Sequence, residues 1–281
     1  MIEQLYGRES RASKVGRFTL LTLVMVLLLF PFVEMFSTAL KARNTLYAYP
    51  PVWFPSPPAW ANFVSIWIDI PLLTYFGNSL IIAGGATILN AVAGIPAGFA
   101  LARFTFPGRR IFLYFLVATQ MFSPVVLLIA LFLMMNSFGL LNTHLSLILI
   151  NATVALPFTV WMMTAYFATV PDEIEEAAIL DGCGRLRMLW DHFLPIAAPG
   201  IVTAMTFSFI MAWNEFLLAL TFLSDPNLRP LTTGIYSFVG RFEISWHLLM
   251  AASLVAITPV FAGFLLIQKR LVAGLAAGAV K

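Results

Sequence analysis

Six long apolar runs constrain this chain more than any other feature. They cover residues 18–40, 75–102, 111–135, 144–167, 198–223 and 248–268. A helix needs about twenty consecutive apolar residues to cross a bilayer core, and each run reaches that length. The expectation is an all-α integral membrane protein with six transmembrane helices. A short tail, 1–17, precedes a six-span domain over 18–281. Composition agrees, with 60% hydrophobic and only 10% charged residues, against about 25% charged in an ordinary soluble domain. The first run follows basic residues, as a signal peptide's would. It is too long for such a segment, so it reads as a retained span.

Lysine and arginine placement orients the bundle, because cytoplasmic loops collect them. An even number of spans puts both termini on one side. With the termini inside, that side holds twelve basic residues: Arg8, Arg11, Lys14, Arg17, Arg103, Arg109, Arg110, Arg185, Arg187, Lys269, Arg270 and Lys281. The outside holds four, Lys41, Arg43, Arg229 and Arg241. Both termini are therefore expected in the cytoplasm. The basic balance reports orientation, and nothing in it points to nucleic acid. The outer stretch 41–74 combines Pro50, Pro51, Pro55, Pro57 and Pro58 with Tyr47, Tyr49, Trp53, Trp60 and Trp67. It reads as an interfacial anchor at the headgroup layer or as a contact surface for an extracellular partner. Pro31, Pro96, Pro124, Pro157 and Pro259 fall within the runs, where each tends to kink its helix.

Between the fourth and fifth runs lies a charged island, residues 171–195. It carries six of the thirteen acids, Asp172, Glu173, Glu175, Glu176, Asp181 and Asp191, with Arg185 and Arg187. Glu173, Glu176 and Ala177 stand three or four apart, which suits one face of a short helix. Gly182 ends it, and Arg185 to Phe193 can form a second. Such an element fits either a solvated loop or a docking surface. Cys183, the single cysteine, excludes a disulfide framework or a Cys-based metal site, and a small buried side chain suits it better than a reactive thiol.

Several groups of residues together resemble one family. Glu176-Ala177-Ala178, Asp181-Gly182 and Leu194-Pro195 look like the EAA loop of ABC importer permeases. Asn78-Ser79-Leu80, Ala100-Leu101-Ala102-Arg103-Phe104 with Phe106-Pro107-Gly108-Arg109-Arg110, and Leu141-Asn142-Thr143 resemble the carbohydrate-uptake branch. So do Trp213-Asn214-Glu215-Phe216 and the tail 274–281. The resemblance runs over roughly 17–281 and is strongest to the MalG-type permease. Cys183 stands where alanine is usual in that family, and Ala273 where a basic residue is frequent.

The resemblance implies a type I ABC importer permease fold in a bacterial inner membrane, translocating a sugar or related polyhydroxylated solute. It implies that Glu173, Glu176, Ala177, Ala178, Asp181 and Gly182 dock separate ATPase subunits, which bind the ATP and Mg. A second six-span permease, a dimer of those ATP-binding subunits and an extracellular or periplasmic solute-binding protein complete the set of partners, with lipid around the spans. This chain itself is expected to hold no cofactor, no metal and no catalytic residue. The phosphate-cradling G-x-x-x-x-G-K-[ST] requires Gly-Lys, and none of the four lysines follows a glycine.

Two acids fall within the runs. A charge at mid-bilayer costs a few kcal/mol or more, so it normally meets water or a partner. Glu34 nears the outer boundary and can reach headgroup water. Glu215 is deeper and follows Trp213-Asn214, a ring, an amide and a carboxylate of the kind that bind sugars. Asn214 and Glu215 are thus substrate-path candidates, with a packing hub between helices as the alternative. Gln120, Asn90, Asn151 and Thr206 read as packing hydrogen bonds, and the spacing of His144, His192 and His247 suits no metal. The competing class is an ion-coupled secondary transporter, for which Glu215 is the one good coupling candidate.

Overall fold

The computed structural model describes the backbone of residues 11–240 and 242–279, and side chains from 14 to 265 and at Gln268, except Arg241. Ala273, the tail motif 274–281 and several basic residues used for orientation lie outside the described side chains. Helices make up nearly all regular structure, and among the described residues the only strand-like pairing is one isolated bridge, Val239 with Ile244.

Two compact units emerge, one from the chain up to Asp69 with Phe238–Val255, the other from Ile70–Ser237 with the chain from Ala256 onward. In the first, α1 (Arg11–Ala39) presents apolar side chains outward along most of its length, as a lipid-facing helix does. Near its end Glu34 is not left to water alone. Its Oε1 accepts from Thr38 Oγ1 at 3.1 Å and pairs with Lys41 Nζ at 3.3 Å. Asn62 of α2 (Ala61–Asp69) donates to the Ala39 and Lys41 carbonyls, so one side chain satisfies the orphan carbonyls where α1 ends. The exposed pair Arg43–Glu243 links the loops of this unit.

The second unit is built on α3 (Leu72–Arg103) and α6 (His144–Phe167). They pack closely because Gly94 and Gly98 of α3 present no side chain. A Cβ on Gly98 would sit 2.5 Å from Met163 Cβ, and one on Gly94 2.7 Å from Thr159 Cγ2. Small residues four apart let membrane helices approach in this way. Asn90 of α3 donates to Ser208 Oγ, which fastens the next helix to the pair.

The single helices expected over 111–135 and 198–223 are each in two pieces. The first comprises α4 (Arg109–Thr119) and α5 (Leu128–Ser137), separated by an eight-residue turn region holding Pro124. Gln120 Nε2 there donates to Val154 O. The second is broken at Asn214–Phe216, as described below. Pro31, Pro96, Pro157 and Pro259 stay inside continuous helices. Four described helices, at 14–39, 72–103, 144–167 and 246–265, are long and apolar enough to cross a bilayer.

The charged island follows the helix–Gly–helix expectation. Helix α7 (Asp172–Leu180) ends at Gly182, whose φ of +74° is left-handed. Helix α8 (Arg185–Ile196) then runs through a π-helical turn at Leu189–Phe193 and meets α9 (Ala198–Trp213) at 87°.

Candidate functional site

Two places gather the residues singled out from sequence, and they lie at opposite ends of α3. At the island, α7 has a clear polarity. Asp172, Glu173 and Glu175 occupy its first turn, where acids complement the helix dipole. Glu173, Glu176, Ala177, Asp181 and Gly182 are all exposed. Ala178 is not: at 2% exposure it enters a core cluster with Phe99, Met163, Phe167, Met188 and Phe193. Spacing alone groups Ala177 with Ala178, but neighbours on a helix point about 100° apart, so one faces out and the other holds the loop to the bundle. Exposed Ile179, Leu180, Leu186 and Trp190 add an apolar component to the outward face. Cys183 is half-buried, its Sγ 3.8 Å from His192 Nε2.

The island is locked to the helix ends by Arg103, which the sequence offers as a positive charge and as part of the Ala100–Phe104 motif but not as a contact to the island. Its Nη1 lies 2.5 Å from Asp172 Oδ1 and 3.5 Å from Glu175 Oε2. Its Nη2 donates to the carbonyls of Phe167 (2.8 Å) and Val170. The guanidinium also stacks 4.9 Å above the Phe193 ring.

The second place is the break in the fifth apolar run. Asn214 ends α9, and α10 (Leu217–Phe222) begins three residues later. Glu215 is the reason α10 can start inside an apolar segment. The first N–H groups of any helix lack partners, and the Glu215 carboxylate accepts two of them, Leu218 N at 2.7 Å and Ala219 N at 2.8 Å. Its own carbonyl accepts from Thr232 Oγ1 at 2.7 Å. Neither open reading of Glu215 anticipated this: its carboxylate bonds to its own segment, and only its backbone carbonyl reaches another helix. Asn214 is exposed and donates back to Ile210 O. Trp213 is buried, stacked on Phe209 and edge-on to Phe76, so its face is not free to receive a ring.

Asn214 and Glu215 line a cavity of about 400 Å³ with Asn151, Pro124, Val154 and Met211. Its wall is mostly apolar, and the polar groups come from Asn151, Asn214 and Glu215. A neighbouring cavity of about 410 Å³ shares Pro124, Val154 and Met211 and adds Gln120, Ser123 and Thr153. Both broken helices therefore contribute their non-helical residues to one cleft. No group of three His, Cys, Asp or Glu side chains converges among the described residues.

Beyond the break, the chain from Phe222 to α11 (Leu231–Ile235) is held by residues from two of the other motifs. Asn78 Nδ2 donates to Asn227 O and Arg229 O at 2.7 and 2.9 Å, and Ser79 Oγ accepts from Leu231 N at 2.8 Å. Asn142, at φ +59°, accepts from Ser224 N and Asp225 N and donates its own N–H to Phe222 O. His144 Nε2 lies 3.0 Å from Leu228 O. The Asn78-Ser79 and Leu141-Asn142-Thr143 motifs thus share one structural task, clamping the segment that follows Glu215. Only their polarity within apolar surroundings could have signalled it.

Known proteins share this architecture. Residues 94–276 match the family described as binding-protein-dependent transport system inner membrane component. The sulfoquinovosyl glycerol transport permease SmoH of Agrobacterium fabrum is 37% identical over 96% of this chain and 95% of its own length. The trehalose/maltose permease MalG of Thermococcus litoralis is 34% identical over 92% and 94%. Among solved structures, a bacterial ABC transporter that imports the acidic polysaccharide alginate superposes with a TM-score of 0.81, at 22% identity, over 94% of this chain and 98% of that one. The chain belongs to the binding-protein-dependent transport system inner membrane component family, the permeases of ABC importers.

Proposed function

We propose that this permease forms one membrane half of an ATP-driven importer for a sugar or a similar polyhydroxylated solute, paired with a second permease. Relatives matched over nearly their whole length are named for sulfoquinovosyl glycerol, trehalose and maltose, and melibiose, raffinose and stachyose. All are hydroxyl-rich. Six spans fit the chain when the broken third and fifth are each counted once, with termini and charged island in the cytoplasm. ATP and Mg bind separate ATPase subunits, and a solute-binding protein delivers substrate from outside.

The observation that carries this reading is the exposed face of α7. Four outward side chains, Glu173, Glu176, Ala177 and Asp181, and the exposed turn at Gly182 stand on or just beyond an element whose inner face is fixed by Ala178 and Arg103. A solvated loop has no need of such anchoring, whereas a helix that receives force from an ATPase does. The binding protein and ATP then favour the same outward-facing conformer. Asn214, exposed, borders the translocation path, and Glu215 holds the break that puts it there. Occupation of both Glu215 oxygens by backbone N–H groups argues against an ion-coupling role.

Co-expression with the second permease and the ATPase, followed by affinity purification through this chain, tests the assembly. Both partners are expected in stoichiometric amounts, and Glu176→Lys is expected to weaken ATPase recovery. Uptake of a labelled panel containing maltose, melibiose and raffinose then identifies the substrate. Recovery of this chain alone, with no ATPase, would refute the assignment.

A further inference from the structure

We propose that Arg103 is the residue through which movement of α7 reaches the spans. The inference rests on the reading of 171–195 as the ATPase docking loop. Arg103 is the last residue of α3, and its side chain is only 6% exposed. One guanidinium holds four segments: α7 through Asp172 and Glu175, the end of α6 through Phe167 O, the α6–α7 connector through Val170 O, and α8 through the Phe193 ring.

The arrangement follows from helix ends. The last carbonyls of α6 have no partner within their helix and attract a cation, and the first turn of α7 attracts acids. Arginine alone satisfies both, because its planar fork presents several donors in fixed directions. The rest of the α7 attachment is apolar and undirected. Ala178 is its one fully buried residue, and Ile174 packs half-buried against the same cluster. Such contacts permit α7 to slide or rotate, whereas the fork fixes its direction relative to α3. Because α3 continues from Arg103 to Asn78 and Ser79, which clamp the segment after Glu215, a displacement at one end is carried to the cleft at the other.

The test uses the complete transporter in lipid nanodiscs. Cys183→Ala removes this chain's only thiol, and Leu73→Cys places one in the first turn of α3, where Leu73 is 71% exposed at the end opposite Arg103; labelling is read on this chain alone. The probe is Mg-ATP with vanadate, and the readout is the labelling rate by a membrane-impermeant maleimide, with and without the probe. The parent is expected to show a nucleotide-dependent change in rate. Arg103→Gln is expected to reduce that change about fivefold or more, the lower range of allosteric coupling factors. Its ATPase should still co-purify, since the exposed face of α7 is untouched. Asp172→Asn with Glu175→Gln leaves Arg103 its carbonyls and ring, and so preserves folding, yet should give the same loss. Arg103→Lys keeps the charge without the fork and should fall between. A full nucleotide response in both Arg103→Gln and the double variant would overturn the inference. Failure of the ATPase to co-purify with the parent would instead overturn the docking reading.

Discussion

Glu215 separates the present account from its rivals, and its energetics can be worked from the geometry. Two backbone N–H groups in the first turn of α10 are satisfied by one carboxylate. A hydrogen bond to a charged group is worth about 1.5–3 kcal/mol net. Glu215→Leu removes both acceptors and leaves two amides in an apolar setting, a loss of about 3–6 kcal/mol. Water entering the cleft will recover part of it, which favours the lower figure. Glu215→Gln retains one oxygen acceptor and loses the charge, so about half the penalty is expected. The assay is thermal unfolding of the purified permease in detergent, alongside uptake in cells. Midpoints should fall in the order parent, Gln, Leu, with uptake following the same order. A Glu215→Leu protein as stable as the parent but inactive would refute the capping role and return the carboxylate to a ligand. Equal and complete loss of uptake in both variants, with sensitivity to an uncoupler at constant ATP, would mean proton coupling.

Other expectations follow from single features. Gly182 sits at φ +74° with nothing within 4 Å of an added Cβ, so substitution strains only the backbone. Gly182→Ala should cost about 1–2 kcal/mol, and Gly182→Val more, uncoupling uptake while the protein remains in the membrane; normal uptake by the Val variant would contradict this. Cys183 is half-buried and should react with an impermeant thiol reagent only after cells are permeabilised. Labelling from outside would reverse the assigned orientation. Arg43 holds the Glu243 carboxyl below its ordinary range through a hydrogen bond and charge. Because the folded value is lowered, any stability from the pair is present above the ordinary glutamate range and lost as pH falls through the lowered value. A step in thermal midpoint over that acidic window should vanish in Glu243→Gln and shrink in high salt.

The fold was legible in the sequence where hydrophobicity and helix punctuation agree. Asp172–Leu180, Gly182 and the following helix could be placed from acid spacing and one glycine. The interruptions at 120–127 and 214–216 could not, because an apolar run reads alike whether its backbone is continuous or broken. Of Pro31, Pro96, Pro124, Pro157 and Pro259, four sit in unbroken helices and Pro124 alone marks a break, so proline by itself is a poor guide. Glu215 was the better signal, since a carboxylate inside an apolar run needs donors and a new helix start offers them. Arg103 was invisible as a hub because its acidic partners lie about seventy residues along the chain. Ala178 was grouped with the outward residues because a sequence motif carries no information about which face is buried.

The central claim is that this chain moves its substrate only with an ATP-hydrolysing partner. Proteoliposomes containing both permeases and the ATPase, with Mg-ATP inside and loaded binding protein outside, test it most directly. Accumulation of labelled sugar is expected to require ATP, to stop with vanadate, and to survive collapse of the proton gradient. Accumulation without the ATPase subunits that is abolished by a proton uncoupler would contradict the account.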